Sequence, residues 1–203
     1  MTIFYEIDRF INEIIIGKEY ESLIPFPLKD AVILDLGCNI GTFSLSVYDR
    51  ASKIYAVDLI PNRIELFNKT IEANNLTKIT TFCQAIASSN RIVKVDNLDS
   101  TDGGPSIYGN NKEIRAITLS ELFKQQNIDH IDLMKVDIEC AEQEIFGSED
   151  FHEIKDKIHV IMGEAHNDTC PDISGFECTR PESRKFLAIN KNYGYDKATN
   201  KEF

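Results

Sequence analysis

Ala31-Val-Ile-Leu-Asp-Leu-Gly-Cys-Asn-Ile-Gly41 decides how this chain is read. Its first six residues form an almost continuous apolar run with an acid near the end, the pattern of a strand buried on both faces of a parallel sheet. Gly37 and Gly41 make the turn that follows, and glycine lets backbone approach a ligand closely. A dinucleotide fingerprint, G-x-G-x-x-G with a pyrophosphate on the helix N-terminus, needs a glycine where Asn39 stands. The turn therefore suits a ligand with an amino-acid moiety, and Asp35 could meet its ammonium group directly or through water. The alternative is an ordinary strand-turn-helix in which both glycines serve geometry alone.

Outward from this turn, strands and helices alternate. The spacing predicts a helix over 42–50, a second buried strand over 53–59, a helix over 62–74 and a third strand over 79–86. Asp58 ends the second strand, where an acid can accept hydrogen bonds from both hydroxyls of a ribose. Weaker strand signals at 92–95 and 114–117 flank a turn-rich loop over 99–106. Thr118-Leu-Ser-Glu121 matches a capping box opening a helix to about residue 126. A fourth main strand spans 131–138, helices follow over 142–146 and 151–157, and a fifth strand covers 159–165. Pro181 reads as the first turn of a last helix over 181–190. Residues 2–24 read as a helix, with Ile3, Phe4, Ile7, Phe10, Ile11, Ile14 and Ile15 at three- and four-residue steps. The expected fold class is α/β: a Rossmann-like, doubly wound, mostly parallel sheet. The expected organisation is an N-terminal helical cap over 1–30 and one domain over 31–203. The cap covers core on the plainest reading, with an acceptor-pocket cover or a homodimer face as alternatives.

Composition narrows the partners. Of 203 residues 42% are hydrophobic, enough for a core. The 33 acidic against 22 basic residues give a net charge of −11, which disfavours a general nucleic-acid binder because such affinity rests on Lys and Arg neutralising phosphates. No apolar run is long enough for a membrane span or a signal-peptide core. Cys38, Cys83, Cys140, Cys170 and Cys178 are odd in number and without framework spacing, so they are expected as free thiols in a reducing cytoplasm.

The motifs also carry a family resemblance. Asp35-Leu-Gly-Cys-Asn-Ile-Gly41 resembles the glycine-rich first motif of class I S-adenosylmethionine-dependent methyltransferases, and Val57-Asp58 resembles their ribose-binding acid. Ile131-Asp-Leu-Met-Lys-Val-Asp-Ile-Glu-Cys-Ala-Glu-Gln-Glu-Ile-Phe146 is similar to the K-[IV]-D-[IV]-E-G-x-E segment of the FkbM-type family, and Gly163-Glu-Ala-His166 to that family's fifth strand. The resemblance implies S-adenosylmethionine as cofactor and S-adenosylhomocysteine as product. It implies that Asp35, Gly37, Cys38, Asn39 and Gly41 line the methionine moiety, that Asp58 holds the ribose, and that Gln84 and Ala85 flank the adenine. Asp137 would face the methyl group and the acceptor. Cys140 departs from the family's glycine, which puts the tight turn after Glu139 in doubt. The family's last two strands also lack room: after residue 190 only Tyr193-Gly-Tyr-Asp196 reads as a strand, so either the final hairpin is incomplete or the stretch over 170–177 contributes to it.

The expected activity is O-methylation of a hydroxyl on a sugar, glycolipid or small secondary metabolite. Such a transfer needs donor and acceptor aligned and the hydroxyl proton removed. His166 is the natural base, since imidazole titrates near neutrality. Asp137 is the second candidate, with Glu139 and Glu164 beside them. Alternatively these groups hold a divalent cation, or they only cap helices and face solvent; no metal ligand is assigned. Rival readings are a non-catalytic cofactor-binding module and an NAD-dependent oxidoreductase on a similar sheet, the latter opposed by the missing G-x-G-x-x-G. His166, Cys170 and Cys178 match no common zinc spacing and are read as a flexible loop. Gly103–Gly109 reads equally as a lid bearing Tyr108 or as a plain surface tip. Cys140 reads as a buried thiol.

Overall fold

The computed structural model describes residues 1–4, 20–96, 106–166, 169–193, 195–196 and 201–202. Residues 5–19 of the helix expected over 2–24, and most of the 99–106 loop, lie outside the described residues; residues 2–4 are not helical, and Glu21–Leu23 form a 3-10 turn.

The strands and their crossovers follow the expected alternation as far as β8. β1 (Ala31–Leu36) leads into α1 (Thr42–Val47), which continues as a 3-10 turn over Tyr48–Arg50; β2 (Ala51–Asp58) leads into α2 (Pro61–Ala73) and β3 (Ile79–Cys83). β4 (Ala85–Ile86), β5 (Arg91–Val95) and β6 (Lys112–Ile117) form a separate small sheet in the order β4-β6-β5. The strand expected over 79–86 therefore breaks at Gln84, where the chain leaves the main sheet. α3 (Leu119–Gln126) starts where the capping box placed it, with the Thr118 hydroxyl accepting from the Glu121 N–H at 3.2 Å. β7 (Ile131–Val136), α4 (Glu142–Phe146), α5 (Glu149–Ile154) and β8 (Ile158–Glu164) follow. α5 begins earlier than expected because the Ser148 hydroxyl caps it, accepting from the Phe151 N–H at 3.1 Å.

The chain then overturns the last expected helix. β9 (Phe176–Glu182) and β10 (Lys185–Asn190) form an antiparallel pair, and β10 pairs antiparallel with β8. The final hairpin is thus complete, against the first of the two expectations, and the 170–177 stretch contributes Phe176 and Glu177 to it. Lys185–Asn190 alternates in burial with Phe186, Ala188 and Asn190 inward, a period of two that a helix cannot use. Pro181 misled because it also opens helices; here it lies in β9, the edge strand, where a missing N–H leaves no interior partner unsatisfied. β11 (Tyr195–Asp196) pairs with β12 (Lys201–Glu202).

The main sheet has seven strands in the order β3-β2-β1-β7-β8-β10-β9. β1, β2, β3, β7 and β8 run parallel. Successive residues face opposite layers: Ile33, Leu133 and Val160 pack with α1, α2 and the Tyr20–Leu28 segment, while Leu34, Met134 and Ile161 pack with α3, α4 and α5. The chain winds away from β1 toward β3 on one side and from β7 toward β8 on the other. The β1–β7 boundary is therefore the topological switch point, and ligands of open α/β sheets bind outside the strands' carboxyl ends there. No helix among the described residues is long and apolar enough to cross a membrane.

Cys170 and Cys178 are joined in a disulfide, so the expectation of five free thiols fails for these two. The β8–β9 connection brings them together, which their spacing could not reveal. This removes both sulfurs from any zinc site. Cys140, expected to be buried, is exposed.

Candidate active site

Strand ends converge at the switch point. The β1–α1 turn is built from left-handed residues: Gly37 (φ 77°), Asn39 (φ 54°) and Gly41 (φ 82°). A Cβ on Gly37 would stand 1.7 Å from the Asp137 carbonyl oxygen, and one on Gly41 would stand 2.1 Å from the Phe67 ring. The glycines therefore let the turn press against β7's end and α2, as well as supplying the conformation. Both carboxylate oxygens of Asp58 hold the turn's surroundings: one accepts from the Asn39 N–H at 2.9 Å, the other from the Ile60 N–H at 2.9 Å. Burial pushes the Asp58 carboxyl up in pKa, opposed by Arg63 and by these two N–H donors.

Asp35 is fully buried, and the Ser44 hydroxyl donates to its Oδ2 at 2.7 Å. Its Oδ1 makes no hydrogen bond and lies 3.4 Å from the Lys135 ammonium, directly across the β1–β7 register. Lys135 is buried and donates to the Gly37 carbonyl at 2.7 Å; its Nζ is 3.9 Å from Asp137 Oδ2 and 5.5 Å from the Tyr20 ring centre. Burial alone would lower the ammonium's pKa, but Asp35 and Asp137 more than offset it, so the net shift is upward. Cys38 is buried beneath the turn, its thiol pushed up in pKa by burial and by Asp35 and Asp58. Gln84 donates through Nε2 to the Ala85 and Arg115 carbonyls, and Ala85 is buried in the small sheet.

The acidic end of β7 lies beside this turn. The Asp137 N–H continues the ladder by donating to the Leu36 carbonyl at 3.0 Å, and its Oδ2 accepts from the Tyr20 hydroxyl at 3.3 Å. The turn after Asp137 keeps its tight form without glycine: Glu139 (φ 55°) and Cys140 (φ 78°) are both left-handed. It aims Glu139 at His166, beyond β8. His166 Nε2 lies 3.2 Å from Glu139 Oε2 and 3.7 Å from Asp137 Oδ1; its Nδ1 lies 3.0 Å from Glu142 Oε1. Glu142 is buried and also accepts from the Ile138 N–H at 3.2 Å. Hydrogen bonds to Glu139 and Glu142 outweigh the burial of the imidazole and push its pKa up to about 10. One ligand atom each from Asp137, Glu139 and His166 lies within 4.8 Å of the others, close enough to share a cation. Glu164 pairs instead with Arg184 Nε at 3.1 Å.

The structure thus brings Asp137, Glu139 and His166 together. Sequence reasoning passed over Lys135, Ser44, Tyr20 and Glu142. Lys135 carried a signal, as the one cation inside an otherwise buried strand. Glu142 is the closing acid of the K-[IV]-D-[IV]-E-G-x-E pattern that begins at Lys135; Ser44 and Tyr20 carried none.

Comparison with known proteins bears on the fold and the family. The chain is 27% identical over 103 residues to a Methanocaldococcus jannaschii protein named probable cobalt-precorrin-6B C(15)-methyltransferase (decarboxylating), a match covering 51% of each chain, so it spans about half that relative's length. It is 23% identical over 191 residues to "Methyltransferase 1" of Beauveria bassiana, covering 80% of this chain and 76% of that one. Its fold is that of the precorrin 8w decarboxylase of Methanobacterium thermoautotrophicum, with a TM-score of 0.51 at 18% identity over 86% of this chain and 87% of that one. A model of the methyltransferase FkbM domain matches residues 35–196, and the chain belongs to that family of S-adenosylmethionine-dependent methyltransferases.

Proposed function

We propose that this methyltransferase acts on a hydroxyl oxygen of a small sugar, glycolipid or secondary-metabolite acceptor. The observation that carries the reading is the cluster of Asp137, Glu139 and His166 beside the glycine turn, a set of groups able to receive a hydroxyl proton.

The residues around the turn fit the family's cofactor. The buried Asp35 Oδ1 has no hydrogen bond of its own, and the left-handed turn presents backbone from Gly37 to Gly41. Asp35, Gly37, Cys38, Asn39 and Gly41 would surround the methionine moiety, Cys38 through its backbone since its thiol is buried. Asp58 would meet the ribose, and Gln84 and Ala85 would border the adenine. Bound S-adenosylmethionine supplies an electrophilic methyl group on a sulfonium.

With that group held by the turn, the acceptor hydroxyl would have to lie in line with the methyl carbon, and the chain's own part is to place that oxygen and take its proton. The hydroxyl proton must leave. His166 is a poor first recipient, because Glu139 and Glu142 keep it protonated at neutral pH. Asp137, partly exposed and aimed at the same space, takes the base role instead, with the His166 imidazolium orienting its carboxylate. Asp137 and Glu139 would face the positive charge that develops at the acceptor oxygen, the direction that preorganised electrostatics favours.

Thermal unfolding with S-adenosylhomocysteine, with NADH as control, tests the cofactor half. At a hundredfold over Kd the ligand adds about 2.7 kcal/mol, roughly 5–10 °C in Tm for a domain of this size. Labelled methyl transfer to a panel of hydroxylated acceptors tests the rest. Asp137→Asn should lower kcat by about 10²–10⁴ while the S-adenosylhomocysteine shift is kept. Full activity in that variant refutes the base assignment.

A further inference from the structure

We propose that Asp137, Glu139 and His166 form a binding site for a first-row divalent cation of the Mn2+ kind, with Glu142 steadying the imidazole from behind. The inference rests on the acceptor-site reading above and deepens it.

The donor set is mixed, two carboxylate oxygens and one imidazole nitrogen, and its atoms lie within 4.8 Å of one another. That spacing suits three ligands on one side of a single ion. The arrangement differs from a patch of surface acids at the histidine. A ligating histidine is characteristically held through its other ring nitrogen by a carboxylate or carbonyl, which fixes ring and tautomer. Here Glu142 does this from a buried position: its Oε1 faces Nδ1 at 3.0 Å and is itself pinned by the Ile138 N–H. Nε2 is thereby left to face Asp137 and Glu139, at 3.7 and 3.2 Å. Three carboxylates surround one imidazole, while the Lys135 ammonium beside Asp137 is engaged with Asp35 and the Gly37 carbonyl. The side chains of Asp137 and Glu139 are 28% and 37% exposed, so the ion would keep open positions toward the acceptor.

The nitrogen ligand disfavours Mg2+ and Ca2+, which prefer all-oxygen sets, and favours Mn2+ or Zn2+. In the site, the ion replaces the proton on Nε2. With the ion held there, Asp137 would serve as a ligand and the base role would pass from it to water, since an acceptor hydroxyl on the open side would become more acidic.

Mn2+ is the probe, added to full-length protein first stripped with EDTA. The expected result is one bound Mn2+, read by electron paramagnetic resonance. Paramagnetic broadening should strike the His166 ring signals ahead of those of His130, His152 and His159. Glu139→Gln and His166→Ala should weaken binding at least tenfold, Glu142→Gln by about 10–100-fold, and Glu113→Gln not at all. No binding up to millimolar Mn2+, or broadening spread evenly over the four histidines, overturns the site without needing any variant to fold. S-adenosylhomocysteine stabilisation measured in EDTA separates the two claims. If it persists while Mn2+ fails to bind, the cation site alone is wrong. If it is missing while Mn2+ binds at His166, the cofactor reading of the pocket is wrong and the site stands.

Discussion

Lys135→Met removes an ammonium that touches both halves of the site. Its Nζ lies 3.4 Å from Asp35 Oδ1, which corresponds to an attraction of about 5 kcal/mol at an effective dielectric constant near 20. The charged hydrogen bond to the Gly37 carbonyl adds about 1.5–3 kcal/mol. Desolvation of the ammonium offsets much of this in the wild type. Its removal does not refund that cost to Asp35, which stays fully buried with its charge uncompensated. Breaking such a pair costs about 3–5 kcal/mol, or roughly 6–20 °C in Tm for a chain of this length. Urea unfolding followed by circular dichroism measures it, the midpoint falling with the slope unchanged. The decisive comparison is the Asp35→Asn/Lys135→Met double variant. The introduced amide keeps an acceptor for the Ser44 hydroxyl and leaves no buried charge, so the double variant should be more stable than Lys135→Met alone by about 2 kcal/mol or more. A loss under about 1 kcal/mol in Lys135→Met, or a double variant whose cost is the sum of the singles, refutes the buried-pair reasoning.

Other perturbations follow from the same geometry. Glu144 accepts from Ser88 (N–H and hydroxyl), Tyr108 and Arg91, which together outweigh its burial and hold its pKa down to about 2. A depressed carboxyl stabilises the fold above its unfolded pKa of about 4.5 and loses that contribution as pH falls toward 2. Glu144→Gln should therefore cost about 1–2 kcal/mol at pH 7, after allowance for solvent screening, and almost nothing near pH 2; a pH-independent cost in acid titration contradicts this. Gly41→Ala places a Cβ 2.1 Å from the Phe67 ring at φ 82° and should cost about 1–3 kcal/mol while abolishing the S-adenosylhomocysteine shift; an unchanged shift would detach the turn from the cofactor. Reduction of the Cys170–Cys178 disulfide should lower Tm by an amount equal to about 2–3 kcal/mol, an effect that Cys178→Ser should lack on adding dithiothreitol.

What the sequence disclosed follows from how local each feature is. The β1 turn was legible because a buried parallel strand must be apolar throughout and its turn must carry residues that tolerate positive φ, and both marks fall within the span from Ala31 to Gly41. Asp137, Glu139 and His166 were legible as residues at strand ends. Their grouping was legible too, since β7 and β8 read as neighbouring strands; that Glu164 pairs with Arg184 and not with them was not. The hairpin of β9 and β10 was misread as a helix because Pro181 and a run of charged residues hide the alternation, which is plain only from Lys185 onward. The reversal at Ser183-Arg184 uses a left-handed arginine (φ 63°), a turn with no glycine to announce it. Glu139 and Cys140 made the same point from the other direction: lack of glycine raised doubt about a turn that forms regardless. Lys135 shows a further limit. A lone lysine in a buried strand signals a partner, but only the register with Asp35 names it.

The choice of oxygen over carbon is where the proposed reaction is most exposed to test. The Methanocaldococcus relative is named for methylation at a precorrin C(15), on a chain only half covered by the match. The glycine turn and Asp58 therefore cannot discriminate acceptors, since they would serve any transfer from the same donor. Discrimination must come from the β7 and β8 ends. An electron-rich carbon attacks the methyl group with its own electrons and gives up a proton afterwards, whereas a hydroxyl gains nucleophilicity as its proton is drawn away. Asp137 and Glu139 both face His166 Nε2, whose positive charge offsets their mutual repulsion, and on the proposed reading Asp137 receives the hydroxyl proton. Transfer of a 13C-labelled methyl group, read by the carbon resonance of the product, decides the matter directly. An oxygen-bound methyl whose formation rate falls in Asp137→Asn and in His166→Ala supports the assignment. A carbon-bound methyl formed at the same rate in both variants would make the cluster structural and move the chemistry to the acceptor itself.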